Sequence, residues 1–202
     1  MKKALKKIWY FIWEDDSIWS WIVNVILAFV IIKFLVYPGL GFALGTPAPI
    51  VAVVSGSMEH DGSFDDWWLG KTCCNEECSK ATIQSSYYAN LNISRDQFRD
   101  FSFVNGFNKG DIMILVGPEK AGVGDVLVYH VSHRPDPIIH RIVGVTEKNG
   151  KKYYDTKGDH NCGMANFEFD IPEDRAIGKA VWRIPFLGWV KIAFVWLVQL
   201  FV

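Results

Sequence analysis

The chain has 202 residues, half of them apolar, and its formal net charge is −1. Because no basic surplus is available to neutralise phosphate groups, the charge balance excludes nucleic acid as the main partner. A chain of this length can form one domain with a hydrophobic core, or a smaller domain together with membrane segments. The high apolar content favours the second organisation, and nine tryptophans concentrated toward the chain ends are typical of membrane-interface belts.

The first 37 residues predict a membrane anchor. Four lysines open the chain, and Ser17 can cap the helix that follows. At about 1.5 Å per residue, the apolar stretch from Ile18 to Val36 nearly matches the hydrocarbon core of a bilayer. Because the lysines precede this stretch and no Lys or Arg follows it before Lys71, we expect a cytoplasmic N-terminus at 1–16 and a transmembrane anchor at 17–37. A cleaved signal peptide is the alternative, but its apolar region would be unusually long.

A short strand after the anchor presents a candidate nucleophile. Prolines and glycines between residues 38 and 49 predict a non-helical tether to this strand. The strand itself, Val51 to Val54, ends at Ser55-Gly56-Ser57-Met58, where the glycine allows a sharp turn. Ser57 then lies at the end of a rigid strand, which suits a nucleophile if a base can reach it. A Ser-Gly turn that only closes a strand is the structural alternative.

Residues 60–106 differ in composition from the flanking chain and are predicted to form an insertion or cap subdomain. The segment is polar, contains Trp67-Trp68 and has few periodic apolar residues. It holds three of the four cysteines of the chain, which are Cys73, Cys74, Cys78 and Cys162. Their spacing lacks the paired C-x-x-C of a zinc ribbon, so the alternatives are a disulfide, if this part faces an oxidising exterior, and a metal site.

Short β-branched segments separated by Gly, Pro or Asp follow the insertion and predict a mainly β fold. The extracytoplasmic β domain is expected at 38–59 and 107–183. The predicted strands after the insertion are Asp111–Val116, Asp125–Val131, Ile138–Val145, Lys151–Thr156 and Ile177–Ile184. The apolar tail at 184–202 predicts a C-terminal membrane-associated helix. Lys191 interrupts this tail, so a second transmembrane segment and an interfacial or domain-packed helix are both open.

A base for Ser57 must come from the five histidines of the chain. Three of them are predicted to be surface residues: His60, His130 and His133. His140 differs because it lies inside an apolar strand, where a polar pair with Arg141 is costly unless each side chain has a partner or a role. A satisfied structural histidine is the alternative at this position. Asp159, in a polar turn after the next strand, is the candidate acid that would hold the base, although a lone Gly-Asp turn is more often structural.

Four motifs occur in a specific order along the chain. They are Ser55-Gly56-Ser57-Met58, Gly124–Tyr129, Ile139–Gly144 and Thr156–Asp159. Together with the anchor they resemble type I signal peptidase, specifically the archaeal and endoplasmic-reticulum form, which carries histidine where the bacterial form carries lysine. The resemblance covers the anchor, Ile50 to Glu59, and Asn108 to about Gly188, but not His60 to Gly106.

The resemblance implies a role for each matched residue. Ser57 matches the nucleophile and His140 the general base. Asp159 matches the acidic residue of the Lys-Gly-Asp turn and is the predicted acid partner of the base. Ser55 matches the serine whose hydroxyl helps the Ser57 amide to bind the oxyanion, a donor placed where charge develops. This chemistry needs no metal and no organic cofactor.

The chain departs from the family pattern at three places. His60 stands where the family usually has proline. Ala165 stands where the family usually has a second aspartate, so Glu168 and Asp170 are alternative acid partners. The long insertion begins directly after the nucleophile segment, where it could cover, shape or regulate the cleft. Cys162 could be tied to it by a disulfide.

The implied function is a membrane-bound serine endopeptidase that removes N-terminal signal peptides from secreted preproteins. It would cut after a small residue at −1, with another small residue at −3. Expected partners are such preproteins and the lipid bilayer, with accessory or translocon subunits as further candidates. The expected location is the archaeal-type plasma membrane, with the endoplasmic reticulum membrane as the alternative and the catalytic domain outside the cytoplasm. Two rival hypotheses are a catalytically inactive signal-peptidase-like subunit and a thiol or metal-binding module centred on the cysteines.

Overall fold

The computed structural model describes residues 2–132 and 134–199. The chain divides into two compact units, Met1–Ala43 and Leu44–Val202. The first unit is helical. The second contains nine short strands, arranged in a seven-stranded sheet and a two-stranded hairpin. The predicted mainly β fold with an N-terminal apolar helix is therefore confirmed.

The N-terminal unit consists of a lysine-rich helix followed by one long apolar helix. Helix α1 spans Lys2–Trp13. Helix α2, Ile18–Ile31, continues through a π-helical segment, Ile32–Val36, into α3, Tyr37–Leu44. Together Ile18–Leu44 make 27 helical residues, which is long and apolar enough to cross a membrane. Elsewhere in 2–132 and 134–199 no helix meets that description.

Two polar residues of the apolar helix bond to the end of α1. The Ser20 hydroxyl donates to the Phe11 carbonyl at 2.5 Å, and the Asn24 amide donates to the Ile12 carbonyl at 2.8 Å. Helix α1 leaves its last carbonyls without partners inside the helix. The two polar side chains of α2 satisfy these groups, which explains why Ser20 and Asn24 are tolerated in an otherwise apolar helix.

The predicted non-helical tether at 38–49 is wrong for its first part, because the helix continues to Leu44. Pro38 has no N–H to donate and its ring would clash with a carbonyl in a regular α-helix. The preceding π-helical segment removes this conflict by widening the helix, as the bond from the Tyr37 N–H to the Ile32 carbonyl shows. Membrane helices commonly accommodate proline through such local adjustments.

The seven-stranded sheet is antiparallel throughout and has the order β1-β4-β9-β5-β6-β7-β8. Its strands are β1 Ile50–Ala52, β4 Ile112–Val116, β5 Val126–Tyr129, β6 Ile138–Lys148, β7 Lys151–Lys157, β8 Ile171–Pro172 and β9 Ala176–Ile184. Strand β5 lies between β9 and β6, and all four of its residues are buried. Strand β1 forms one edge of the sheet, so the end of β1 remains open toward a cleft.

The 60–106 insertion folds into short elements around an aromatic cluster. Its elements are α4 Phe64–Leu69, the hairpin β2 Lys71–Cys73 and β3 Ala81–Ile83, α5 Gln84–Asn90 and α6 Arg95–Arg99. The cluster buries Trp67, Trp68, Tyr88 and Phe98, and it packs on Val143 of β6. The insertion therefore carries its own core and shares it with β6, the strand that contains His140.

All four cysteines form disulfides. One joins Cys73 to Cys78 within the insertion, and the other joins Cys74 to Cys162 across 88 residues. The second disulfide ties the insertion to the loop that follows Asp159. Disulfides of this kind persist in an oxidising environment, which agrees with an extracytoplasmic domain.

The C-terminal tail is only partly helical. Strand β9 extends to Ile184, and helix α7 spans Trp189–Gln199, with 11 residues. Between them Phe186 adopts a positive φ of 61°, and Gly188 donates its N–H to the Gly110 carbonyl. Eleven helical residues measure about 16 Å, roughly half of the hydrocarbon core, so the described helix does not span a bilayer. Residues 200–202 of the predicted tail lie outside the described residues.

We expect the two disulfides to contribute unequally to stability. Chain-entropy estimates give about 4–5 kcal/mol for the long Cys74–Cys162 loop and about 2 kcal/mol for the short Cys73–Cys78 loop. The double variant C74S/C162S should therefore lose more free energy of unfolding than its matched control C73S/C78S. Denaturant titration of the detergent-solubilised chain measures both losses, and equal losses would contradict the prediction.

Candidate active site

The segment that carries Ser57 is held on both sides of the serine. Before it, the Val53 N–H donates to the Asp111 carbonyl at 2.9 Å. After it, Met58 is fully buried, and its carbonyl accepts from the Phe107 N–H at 3.0 Å. Between these anchors Val54 and the Ser-Gly-Ser turn reach the surface. The apolar edge strand β1, followed by small hydroxyl residues, thus places Ser57 at the rim of the sheet.

His140 lies within hydrogen-bond reach of Ser57. It is a buried residue of β6, opposite Leu127 of β5, and its Nε2 lies 2.9 Å from the Ser57 Oγ. Its Nδ1 lies 2.5 Å from Oε1 of Glu168, which is fully buried. Because a carboxylate only accepts, Nδ1 carries the ring proton and Nε2 is left to accept from the serine hydroxyl.

Glu168 is oriented by the backbone of its own turn. Its second carboxylate oxygen, Oε2, accepts from the Ala165 N–H at 2.6 Å. Ala165 and Glu168 are the first and last residues of a short 3-10 turn that follows the Asp159 loop. This turn places a glutamate at the His140 ring, although the position expected to carry an acid by analogy with the family holds Ala165. The extra length of the glutamate and the shape of the turn bring its carboxylate to the base.

Ser55 lies beside the nucleophile. Its hydroxyl oxygen is 3.2 Å from the Ser57 Oγ. Since the Ser57 proton is directed to His140, the Ser55 hydroxyl is the donor in this contact. Ser55 also lines the cleft described below.

Asp159 lies in a different cluster from the His140 ring. Both Arg141 and Asp159 are fully buried, and the Arg141 Nη2 donates to the Asp159 Oδ2 at 2.7 Å. The Tyr88 hydroxyl donates to Oδ1 at 2.8 Å, and His60 Nε2 lies 3.0 Å from Oδ2. Burial alone would raise the pKa of Asp159, but the Arg141 charge and the His60 and Arg141 hydrogen bonds hold it well below its usual range. That Asp159 is the acid partner of His140 stays a prediction. The contacts found for Asp159 are those of a carboxylate that stabilises the fold.

The other alternative acid, Asp170, lies on the surface. Its side chain is 61% exposed and forms an ion pair with Lys148 at 2.5 Å. Of the three carboxylates considered for the acid role, Glu168 contacts the ring of His140, Asp159 contacts its neighbour Arg141, and Asp170 contacts neither of these side chains. All three carboxylates follow strand β7 closely along the chain. Their order in the sequence therefore could not decide which of them reaches His140.

Three buried side chains near the site were not expected from the sequence. The prediction that His60 is a surface residue is wrong, because its side chain is only 1% exposed. Tyr88 of the insertion is fully buried, and burial, followed by the Asp159 charge, raises its pKa well above the ordinary value. Lys157 donates to Gln84 and to three carbonyls of its own turn, and burial lowers its pKa to about 8. His130 is exposed, and His133 lies outside the described residues.

The turn that contains Asp159 contacts both Ser57 and His140. The His160 N–H donates to the Ser57 carbonyl at 2.8 Å. A Cβ atom added at Gly158 would lie 2.8 Å from the His140 Nε2, closer than non-bonded atoms approach. Glycine is therefore required at position 158 for the imidazole to remain at the serine.

A cleft of about 210 Å³ opens beside the Ser57–His140 pair. One wall is formed by Ala52, Val54 and Ser55, at the edge of the sheet, and the other by residues 134–140. Because β1 is an edge strand, an extended peptide could align beside it and place alternate side chains in this cleft. The small volume suits short side chains.

Comparison with known proteins supports the resemblance found in the sequence. No protein-family model matches the chain. The chain is 28% identical over 167 residues to the signal peptidase complex catalytic subunit sec11 of Sclerotinia sclerotiorum, covering 79% of this chain and 71% of that protein. The corresponding subunit of Pyricularia oryzae is 27% identical over the same shares. That of Lachancea thermotolerans is 28% identical over 173 residues, 79% of this chain and 73% of that protein.

These relatives confirm the resemblance to the endoplasmic-reticulum and archaeal form of type I signal peptidase. The chain is homologous to signal peptidase complex catalytic subunits over about four-fifths of its length. Its relatives support no preference for the plasma membrane over the endoplasmic reticulum membrane.

We expect Asp159→Asn to destabilise the fold strongly, since it leaves the buried Arg141 charge without its counter-ion. Breaking a buried pair in this way costs about 3–5 kcal/mol, whereas Asp170→Asn, which breaks an exposed pair, should cost less than about 1 kcal/mol. Denaturant titration of both variants tests the difference. A loss at Asp159 no larger than that at Asp170 would contradict it.

The contribution of Asp159 should also depend on pH. A carboxyl whose pKa is lowered on folding stabilises the fold fully above its unfolded pKa of about 3.9, and the stabilisation is lost as the pH falls toward the lowered value. The stability difference between wild type and Asp159→Asn should be constant from about pH 6 to 8 and should shrink below about pH 4. A difference that grows on acidification would contradict this assignment.

Proposed function

We propose that this chain, a homologue of signal peptidase complex catalytic subunits, is a membrane-anchored serine endopeptidase that removes signal peptides from preproteins. The observation that carries the proposal is the continuous contact from the Ser57 hydroxyl through the His140 ring to the Glu168 carboxylate. A serine hydroxyl is a weak nucleophile unless a base accepts its proton, and here the base is also held in the required tautomer.

Each residue of this relay has a separate task. Ser57 Oγ attacks the scissile carbonyl while His140 Nε2 takes its proton, and the imidazolium then gives this proton to the leaving amine. Glu168 holds the His140 ring and stabilises its positive charge without itself becoming protonated. Water then hydrolyses the acyl-enzyme by the same route, with His140 again accepting a proton. No atom of Asp159 lies in this path, so its task is to fix the turn that contacts Ser57 and His140.

The Ser55 hydroxyl supports a further part of the proposal. It lies 3.2 Å from the nucleophilic oxygen, and together with the Ser57 N–H it would donate to the oxyanion of the tetrahedral intermediate.

The open edge of β1 would pair with the substrate backbone, and the cleft between Val54 and residues 134–140 would accept the small side chains before the cleavage site.

The apolar helix Ile18–Leu44 supports a membrane location, and the disulfides support an oxidising environment around the catalytic domain. We therefore place the site outside the cytoplasm, in either the endoplasmic reticulum membrane or an archaeal-type plasma membrane. Accessory subunits are expected by analogy, because the relatives are named as subunits of a complex. An inactive homologue is disfavoured because the serine, the base and an acid all retain the contacts that catalysis requires.

Ser57→Ala should abolish cleavage of a preprotein by the chain reconstituted in liposomes, by at least about 10³-fold, because it removes the hydroxyl that contacts the His140 base. The measurement is the initial rate of mature-protein release, with labelling of Ser57 by an acylating serine reagent as a second readout. Undiminished cleavage by Ser57→Ala would show that the assignment is wrong.

Glu168→Gln should lower kcat about 10²–10⁴-fold, because an amide can neither select the same His140 tautomer nor stabilise the imidazolium. Asp170→Asn is the matched control and should retain wild-type activity, since its carboxylate contacts Lys148 on the surface. Liposome assays at a temperature where both variants are folded compare the two. Equal activity of the two variants would exclude Glu168 as the acid.

A further inference from the structure

His60 is a buried histidine that the Ser57–His140–Glu168 relay does not use. Its side chain is 1% exposed, and its Nε2 lies 3.0 Å from the Asp159 Oδ2. Since a carboxylate only accepts, this ring nitrogen is the donor. The imidazole also stacks on the Trp67 indole of the insertion, with ring centres 3.7 Å apart and planes within 4°. His60 is therefore held between the insertion on one face and a buried carboxylate at its edge.

The carboxylate that His60 holds belongs to the turn that contacts the nucleophile and the base. The Asp159 N–H lies 3.4 Å from the Met58 sulfur, and the next N–H, of His160, donates to the Ser57 carbonyl at 2.8 Å. On the other side, Gly158 leaves no room for a Cβ beside the His140 Nε2. A shift of the Asp159 carboxylate would therefore move the backbone on which both Ser57 and His140 rest.

We propose that His60 is a positioning residue for the Ser57–His140 pair, acting through Asp159, and that the rest of the insertion, residues 61–106, holds the His60 ring in place. This inference rests on the proposed function. It does not make His60 a catalytic residue, because no atom of its ring contacts Ser57, His140 or Glu168.

The insertion contributes two contacts to this arrangement. Trp67 of α4 packs against the His60 ring, and Tyr88 of α5 donates its hydroxyl to the Asp159 Oδ1 at 2.8 Å. A proline at position 60, usual in the resembled family, has no side-chain donor. The histidine and the insertion together supply donors to Asp159 that a proline and a short loop would lack. We infer that these contacts of the insertion stabilise the turn that contains Asp159.

The test compares two polar replacements that differ in where they place a donor. In His60→Gln the amide nitrogen can occupy the position of Nε2, whereas in His60→Asn it reaches only the position of Nδ1. We expect His60→Gln to retain kcat within about threefold and His60→Asn to lose about 10–100-fold with KM changed less than twofold, because misplacement of reacting groups by about 1 Å lowers the chemical rate. His130→Asn, at an exposed position, is the matched control and should keep wild-type kinetics.

Amide hydrogen exchange at His160 provides a readout that does not depend on peptidase activity. The His160 N–H donates to the Ser57 carbonyl, so displacement of the turn would break this bond and expose the amide. Its exchange should accelerate at least about tenfold in His60→Asn and stay near wild type in His60→Gln. Tyr88→Phe, which removes one donor to Asp159 without changing shape, should accelerate it to an intermediate degree and covers the case in which His60→Asn does not fold.

Two results would overturn the inference: equal kcat and exchange for the glutamine and asparagine variants, or unchanged His160 exchange in Tyr88→Phe. Failure of the proposed function is recognised separately, by undiminished cleavage in Ser57→Ala. In that event the exchange measurements alone still decide whether His60 positions the turn.

Discussion

The buried ion pair between Arg141 and Asp159 is the contact on which the rest of the catalytic domain depends. The guanidinium bonds to Asp159 and also to the carbonyls of Ser102, Phe103 and Gly124. It therefore joins β6, the turn after β7, the end of the insertion and the loop before β5. Because both charges are fully buried, each is stable only while the other is in place, so the segments that carry them are held in one arrangement.

This pair also explains why the carboxylates of Glu168 and Asp159 have different partners. His140 and Arg141 are adjacent in β6 and point to opposite faces of the strand, so each meets a different acid. Glu168 meets the imidazole, where a carboxylate can select a tautomer, and Asp159 meets the guanidinium, where it neutralises a permanent charge. The alternation of side chains along a strand thus separates the proton-transfer path from the charge that fixes the turn.

The insertion is coupled to the site through three kinds of contact that converge on one turn. The Cys74–Cys162 disulfide joins it covalently to the loop after Asp159, the Tyr88 hydroxyl bonds to the Asp159 carboxylate, and Trp67 stacks on His60. Its aromatic cluster includes Val143 of β6, so the insertion and the strand that carries His140 share a core. The insertion is therefore joined to the turn that contains Asp159 at three points.

The sequence by itself determined the N-terminal apolar helix, the mainly β fold, the Ser-Gly-Ser turn and the histidine strand, because apolar runs, β-branched segments and turn residues report local structure directly. It also restricted the acid to Asp159, Glu168 or Asp170, but only the tertiary structure placed Glu168 at His140. That contact depends on how a turn after β7 folds back over β6, which no local pattern records. The same holds for His60. Its burial depends on Trp67, a neighbour only when the insertion folds, and on Asp159, a neighbour only when the insertion packs on the sheet.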